Sequence, residues 1–154
     1  MPILHLILGH LIGDFLLQPD HLLHWKKRHI TGALVHVLIH MMVYLLILFP
    51  YVQNNWTLLI ILGIGVAHLI IDQVKVVGER TKKKYRLYFI VDQVAHLVTL
   101  AIAGLLIMYL DIATPQTYLF GKIYLNPFLS LLFSLGIFKY RVLPMYKVQK
   151  HRKS

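Results

Sequence analysis

Four apolar stretches of the chain each carry one pair of titratable residues four positions apart. They are His10 and Asp14 in GHLIGD, His36 and His40 in VHVLIH, His68 and Asp72 in AHLIID, and Asp92 and His96 in VDQVAH. On a helix, residues i and i+4 lie on one face about a turn apart, so each pair can send two side chains to the same side. The two histidines of an HExxH segment grip one zinc by this spacing. Carboxylate and imidazole from four facing helices can hold two metals in a bundle core. The chain has no cysteine, which excludes disulfides, thiolate catalysis and Cys-ligated zinc. Mixed nitrogen and oxygen ligands without thiolate suit zinc, iron or manganese. The expected ligand set for one or two divalent ions is therefore His10, Asp14, His36, His40, His68, Asp72, Asp92 and His96. A carboxylate among Asp14, Asp72 and Asp92 that does not ligate is a candidate general base, and these three are the candidate catalytic residues.

The elements that position these pairs read as membrane spans. Hydrophobic residues make up 58% of the 154-residue chain and charged residues 14%, against about 45–50% and about 25% in soluble domains. The apolar excess falls in runs of spanning length. Five transmembrane helices are expected, at Pro2 to Leu17, Thr31 to Phe49, Trp56 to Val74, Tyr85 to Leu110 and Pro127 to Phe138. The fold class is thus an all-α integral membrane protein. Residues 1–110 form a four-helix bundle holding the site, and residues 111–154 supply a fifth helix and a basic tail. Nothing in the first run reads as a cleavable signal peptide.

Of the sixteen Lys and Arg residues, all but Lys122 fall on one side of these spans. That side is then cytoplasmic, with the N-terminus outside and the C-terminus inside. The net charge of +10 follows from topology and from anionic headgroups, not from nucleic-acid binding. Counting about 1.5 Å per residue from each span's basic end puts the pairs at a common depth. Asp14, His36, Asp72 and Asp92 form an outer layer, and His10, His40, His68 and His96 lie one turn deeper.

HLIGD (10–14) and HLIID (68–72) also match as an internal repeat, so the four spans read as two repeated helical hairpins. Such repeats place a site at their interface. Gly9 with Gly13, and Gly63 with Ala67, are small pairs expected to let helices approach. His5 lies off the His10 face and reads as a span-end residue, while His21, His24, His29 and His151 read as solvated. Gln18 extends the Asp14 face, and Gln73 and Gln93 follow Asp72 and Asp92. Lys75 shares the Asp72 face, with snorkelling to the interface as its default.

The string HLIGDFLLQ, followed by HxxxH, HLIID and DQxxH, resembles a bacterial family of small multi-pass membrane proteins of unknown function. The likeness covers about residues 5 to 100. It implies a bacterial inner membrane location and a shared site for His10, Asp14, His68, Asp72, Asp92 and His96. A looser likeness, in residue type alone, is to membrane-embedded metal-dependent hydrolases. The expected function is metal-dependent hydrolysis of a lipid-like or phosphate-bearing amphiphile near the cytoplasmic face. The basic loops would attract membrane lipids bearing phosphate. Transport of a transition metal or protons is the alternative, together with a hydrogen-bonded bundle without chemistry. A haem carrier ranks lowest, since two axial histidines need no aspartate.

Overall fold

The apolar runs form helices, and no strand occurs among the described residues. A computed structural model describes residues 2–49, 52, 54–82, 85–110 and 112. Helix α1 (Pro2–Leu11) continues into one π turn (Ile12–Leu16). It is followed by α2 (Asp20–Arg28), α3 (Ile30–Ile47), α4 (Asn55–Lys82) and α5 (Tyr85–Tyr109). The last three are long and apolar enough to cross a membrane, and the first apolar helix is shorter. The expected fifth span, Pro127 to Phe138, lies outside the described residues, as does nearly all of the region 111–154.

Helix α1 packs on α3 and α5, α3 on α4, and α4 on α5, which closes a ring of four helices. The surface of this ring is apolar. Leu34, Leu38, Met42 and Leu46 form an exposed stripe on α3, and Leu62, Val66, Ile70 and Val74 form one on α4. The interior holds His10, His36, His40, His68, Asp72, Asp92 and His96, all buried. A greasy outside around a polar inside is the arrangement of a membrane protein, whose outer faces meet acyl chains and whose ionisable groups face the bundle interior.

The structure departs from the sequence expectation in three places. Residues 20–28, read as a basic loop, form α2. Its signals are local: Pro19 precedes the first turn, Asp20 lies in it, and Lys26, Lys27 and Arg28 close the last turn, so the charges complement the helix dipole. Second, α4 runs about two turns beyond Val74. Its 28 residues span roughly 42 Å at 1.5 Å per residue, more than a hydrocarbon core of about 30 Å. Asn54 starts this helix by accepting the Trp56 backbone N–H at 2.9 Å. Third, the end of α1 widens into a π turn, in which the Leu17 N–H bonds to the Ile12 carbonyl at 2.9 Å. Such turns occur often at functional sites, and this one contains Asp14.

Several glycines set close approaches, two of them around the site and α2. A Cβ on Gly13 would run into the His40 ring, so α1 meets α3 at the site only because that atom is missing. A Cβ on Gly32 would lie 2.6 Å from the backbone of Trp25 and Lys26, which is how α2 folds back onto α3. Gly9, one turn from Gly13, likewise faces Tyr44 of α3. Gly63 does not repeat the pattern: a Cβ there meets nothing, so that residue faces outward.

Gly32→Ala should therefore lower the thermal midpoint of the detergent-solubilised protein, by an overpacking cost of about 1–3 kcal/mol. Gly63→Ala should leave it unchanged or raise it. Equal effects of the two substitutions would contradict this packing.

Candidate metal centre

The register of the four ring helices brings all eight expected residues together. On α1, Leu6, His10 and Asp14 climb toward the α2 end, and the contacts made by each identify its partners on the other helices. Asp14 meets His36 and His40 of α3. His10 lies beside His40, His68 and His96. Leu6 joins a buried apolar cluster with Tyr44, Ile64 and Leu100. Each of those four residues stands one helical turn from one of the four inner histidines. The apolar cluster therefore lies directly beneath the histidine layer.

Asp14 is the centre of the arrangement. Its Oδ1 accepts from Nε2 of His36 and of His40, each at 3.0 Å. His68 Nε2 lies 3.6 Å from the same oxygen, and His10 Nε2 lies 3.5 Å from Oδ2. His36 and His68 point their Nε2 atoms at each other across 3.2 Å. One proton fits between them, and two do not. Asp72 Oδ2 adds contacts of 3.6 Å to His36 Nε2 and 3.7 Å to His68 Nε2. Among the inner rings, His68 lies 4.0 Å from His40 and 4.3 Å from His96 between centroids.

Three sets of donor atoms gather closely enough to hold an ion: His10, Asp14, His40 and His68; His36, His68 and Asp72; and Asp72, Asp92 and His96. His68 belongs to two sets and Asp72 to two, so the eight residues form one connected group. Zinc ligands at about 2.0–2.1 Å stand about 3.3–3.4 Å apart at the corners of a tetrahedron. The contacts of 3.0 to 3.7 Å around Asp14, His36, His68 and Asp72 bracket that spacing.

Hydrogen bonding fixes one imidazole for ligation. His96 Nδ1 donates to the Asp92 carbonyl at 2.9 Å, so in the neutral ring Nε2 carries a lone pair. That atom is buried and without a hydrogen-bond partner, as are both His10 nitrogens and Asp92 Oδ1. A second ring nitrogen tied to a backbone carbonyl is the usual support of a metal-bound histidine. Unpartnered buried polar atoms are costly, and these lie among the candidate ligands.

Sequence reasoning missed two buried partners. Lys26 Nζ donates to Asp72 Oδ2 at 2.9 Å, with the lysine side chain only 7% exposed. Glu79, also buried, accepts from Lys27 at 3.2 Å. Arg80 donates to the Lys27 carbonyl, so α2 is strapped to the protruding end of α4. Lys75 does not snorkel away: its Nζ bonds Asp92 Oδ2 at 2.7 Å and lies 5.3 Å from the centre of the Phe89 ring. His5, near the start of α1, is buried, whereas His21, His24 and His29 are exposed as expected. A cavity of about 60 Å³ opens among Gln18, Lys26, Lys27, Lys75 and Gln93, with Asp14 and Asp72 in its lining. A water needs about 10–15 Å³ on this measure, so the cavity has room for several waters or one small anionic group.

In metal-free protein, Lys26→Met leaves the buried Asp72 carboxylate without its ammonium partner. Breaking a buried pair in this way costs about 3–5 kcal/mol, so the thermal midpoint in detergent should fall steeply. Adding Asp72→Asn to the same chain should restore part of the loss. No loss in the single variant would contradict the buried pairing.

No curated protein and no solved structure matches the chain. A family model described as Protein of unknown function (DUF3307) matches residues 3–120. With most of its length covered, including all four helices of the ring and every candidate ligand, the chain belongs to the DUF3307 family.

Proposed function

We propose that the chain is a membrane metalloprotein that hydrolyses a phosphate-bearing or otherwise lipid-like amphiphile near the cytoplasmic face. The observation that carries the reading is the convergence on Asp14. One carboxylate oxygen lies within 3.6 Å of Nε2 atoms from His36, His40 and His68. The donor set fits one or two ions of zinc, iron or manganese. Such an ion would supply hydroxide at neutral pH by lowering the pKa of coordinated water to near 7.

The chain's own residues divide the remaining work. His10, His36, His40, His68 and His96 would supply nitrogen ligands, and Asp14, Asp72 and Asp92 would supply oxygen. The apolar outer faces and the basic segments favour a bacterial inner-membrane location, with the C-terminus cytoplasmic and five spans in all. The substrate's head would then reach the site through the lysine-rimmed cavity while its tail stays in the bilayer.

One observation favours hydrolysis over transport. Beneath the inner histidines, Leu6, Ile61, Ile64, Leu100, Ala103 and Ile107 pack with Tyr44 into a buried apolar cluster. A path for ions needs polar groups through both halves of the membrane, whereas this arrangement favours a site reached from one side. The two Lys–Asp pairs favour a different reading, a hydrogen-bonded bundle without metal, because they neutralise Asp72 and Asp92. That reading leaves both His10 nitrogens and His96 Nε2 buried without hydrogen-bond partners.

The test is turnover of a phospholipid in mixed micelles by full-length protein, first stripped with chelator and then reloaded with zinc or manganese. Hydrolysis should vanish on stripping and return on reloading. His68→Ala, which removes a member of two of the three donor sets, should lose metal and hydrolysis together. Metal flux into sealed liposomes without lipid turnover would overturn hydrolysis in favour of transport.

A further inference from the structure

Resting on the metal reading, we propose that Lys26 and Lys75 hold the carboxylate oxygens that a metal takes, and that metal loading converts their ammonium groups into a receptor for a phosphoryl oxyanion. Lys26 Nζ lies 2.9 Å from Asp72 Oδ2, and Lys75 Nζ lies 2.7 Å from Asp92 Oδ2. Asp72 and Asp92 are both members of candidate ligand sets, and with His96 they form one of them. A divalent ion and an ammonium group compete for these oxygens. Two cations a few ångströms apart repel strongly in a medium less polar than water.

The released lysines have a cavity to turn into. Lys26, Lys27 and Lys75 all line it, together with Gln18 and Gln93. Glu79, a buried carboxylate of α4 that also lines the cavity, is already engaged by Lys27. Gln93 Nε2, which donates to Asp92 Oδ2 at 3.0 Å, is released by the same event. Metal loading therefore adds positive charge to the site and frees three donor groups beside the cavity. A phosphoryl oxyanion, on a lipid headgroup or free in solution, offers the matching charge and several acceptor oxygens. Without metal, each lysine faces a carboxylate and the cavity has no surplus cation to offer. Metal and anion should thus bind cooperatively, each tightening the other by the same factor.

The experiment titrates inorganic phosphate, and in parallel a short-chain phosphatidate, into detergent-solubilised full-length protein in stripped and zinc-loaded forms. Zinc content is measured on every sample. Zinc loading should tighten binding of at least one of the two at least tenfold, and phosphate should tighten zinc by the same factor. Binding of phosphatidate alone assigns the phosphoryl group to a lipid, and binding of both admits a soluble source. Zinc-loaded Lys26→Met should keep its zinc and lose that gain. Lys75→Met repeats the test without touching α2. Equal anion affinity with and without zinc, no anion binding to the zinc-loaded protein, or a gain that survives both substitutions would overturn the inference while leaving the metal reading intact. A wild-type chain that takes up no zinc would overturn both.

Discussion

A carboxylate placed inside a bundle of apolar helices needs partners supplied by the bundle itself, and Asp14 obtains them from histidines. Two Nε2 atoms at 3.0 Å and a third at 3.6 Å crowd one of its oxygens. Ionisable groups in a span are expensive and face the interior. The four helices are therefore held in one register, because a slip of any of them would leave Asp14 or a histidine facing acyl chains. The missing Cβ of Gly13 lets α1 approach the His40 ring closely enough for these contacts. The π turn at Ile12–Leu16 belongs to the same solution, since it sets the direction in which Asp14 leaves α1.

Charge is distributed unevenly over the three aspartates. Asp72 and Asp92 each have a lysine, from α2 and α4 respectively, whereas Asp14 has histidines. The site is thus graded from carboxylates paired with the cavity-lining lysines to imidazoles packed on an apolar floor. Helix α2 has a structural part in this grading. Gly32 allows it to lie against α3, and the Lys27 and Arg80 contacts tie it to α4. Its Lys26 then reaches a carboxylate that the ring alone would leave unneutralised.

The ring and its site were largely legible in the sequence because membrane helices announce themselves by length and because i,i+4 pairs have few interpretations inside them. The spans from Thr31 and Tyr85 agree with α3 and α5 to within a residue or two, and all eight pair members converge. Helix α2 escaped because nine residues with three adjacent basic groups read as a loop. The Pro19–Asp20 start and the basic last turn were its available signals. Lys26 and Glu79 were missed for a related reason: nothing local tells a buried lysine from a solvated one until its partner on another helix is known. The π turn left no trace in the residue pattern, and Gly63 shows that a small residue alone does not say which way it faces. The fifth span expected at Pro127 to Phe138 falls outside the described residues.

The central claim is that these side chains hold a metal, and the most direct measurement is metal-edge X-ray absorption on zinc-loaded, detergent-purified protein. The account predicts a low-coordinate shell of nitrogen and oxygen at about 2.0–2.2 Å, with the outer-shell scattering of several imidazole rings, and loss of that scattering in His68→Ala. A shell of water oxygens without imidazole scattering, or a spectrum unchanged by His68→Ala, would contradict it.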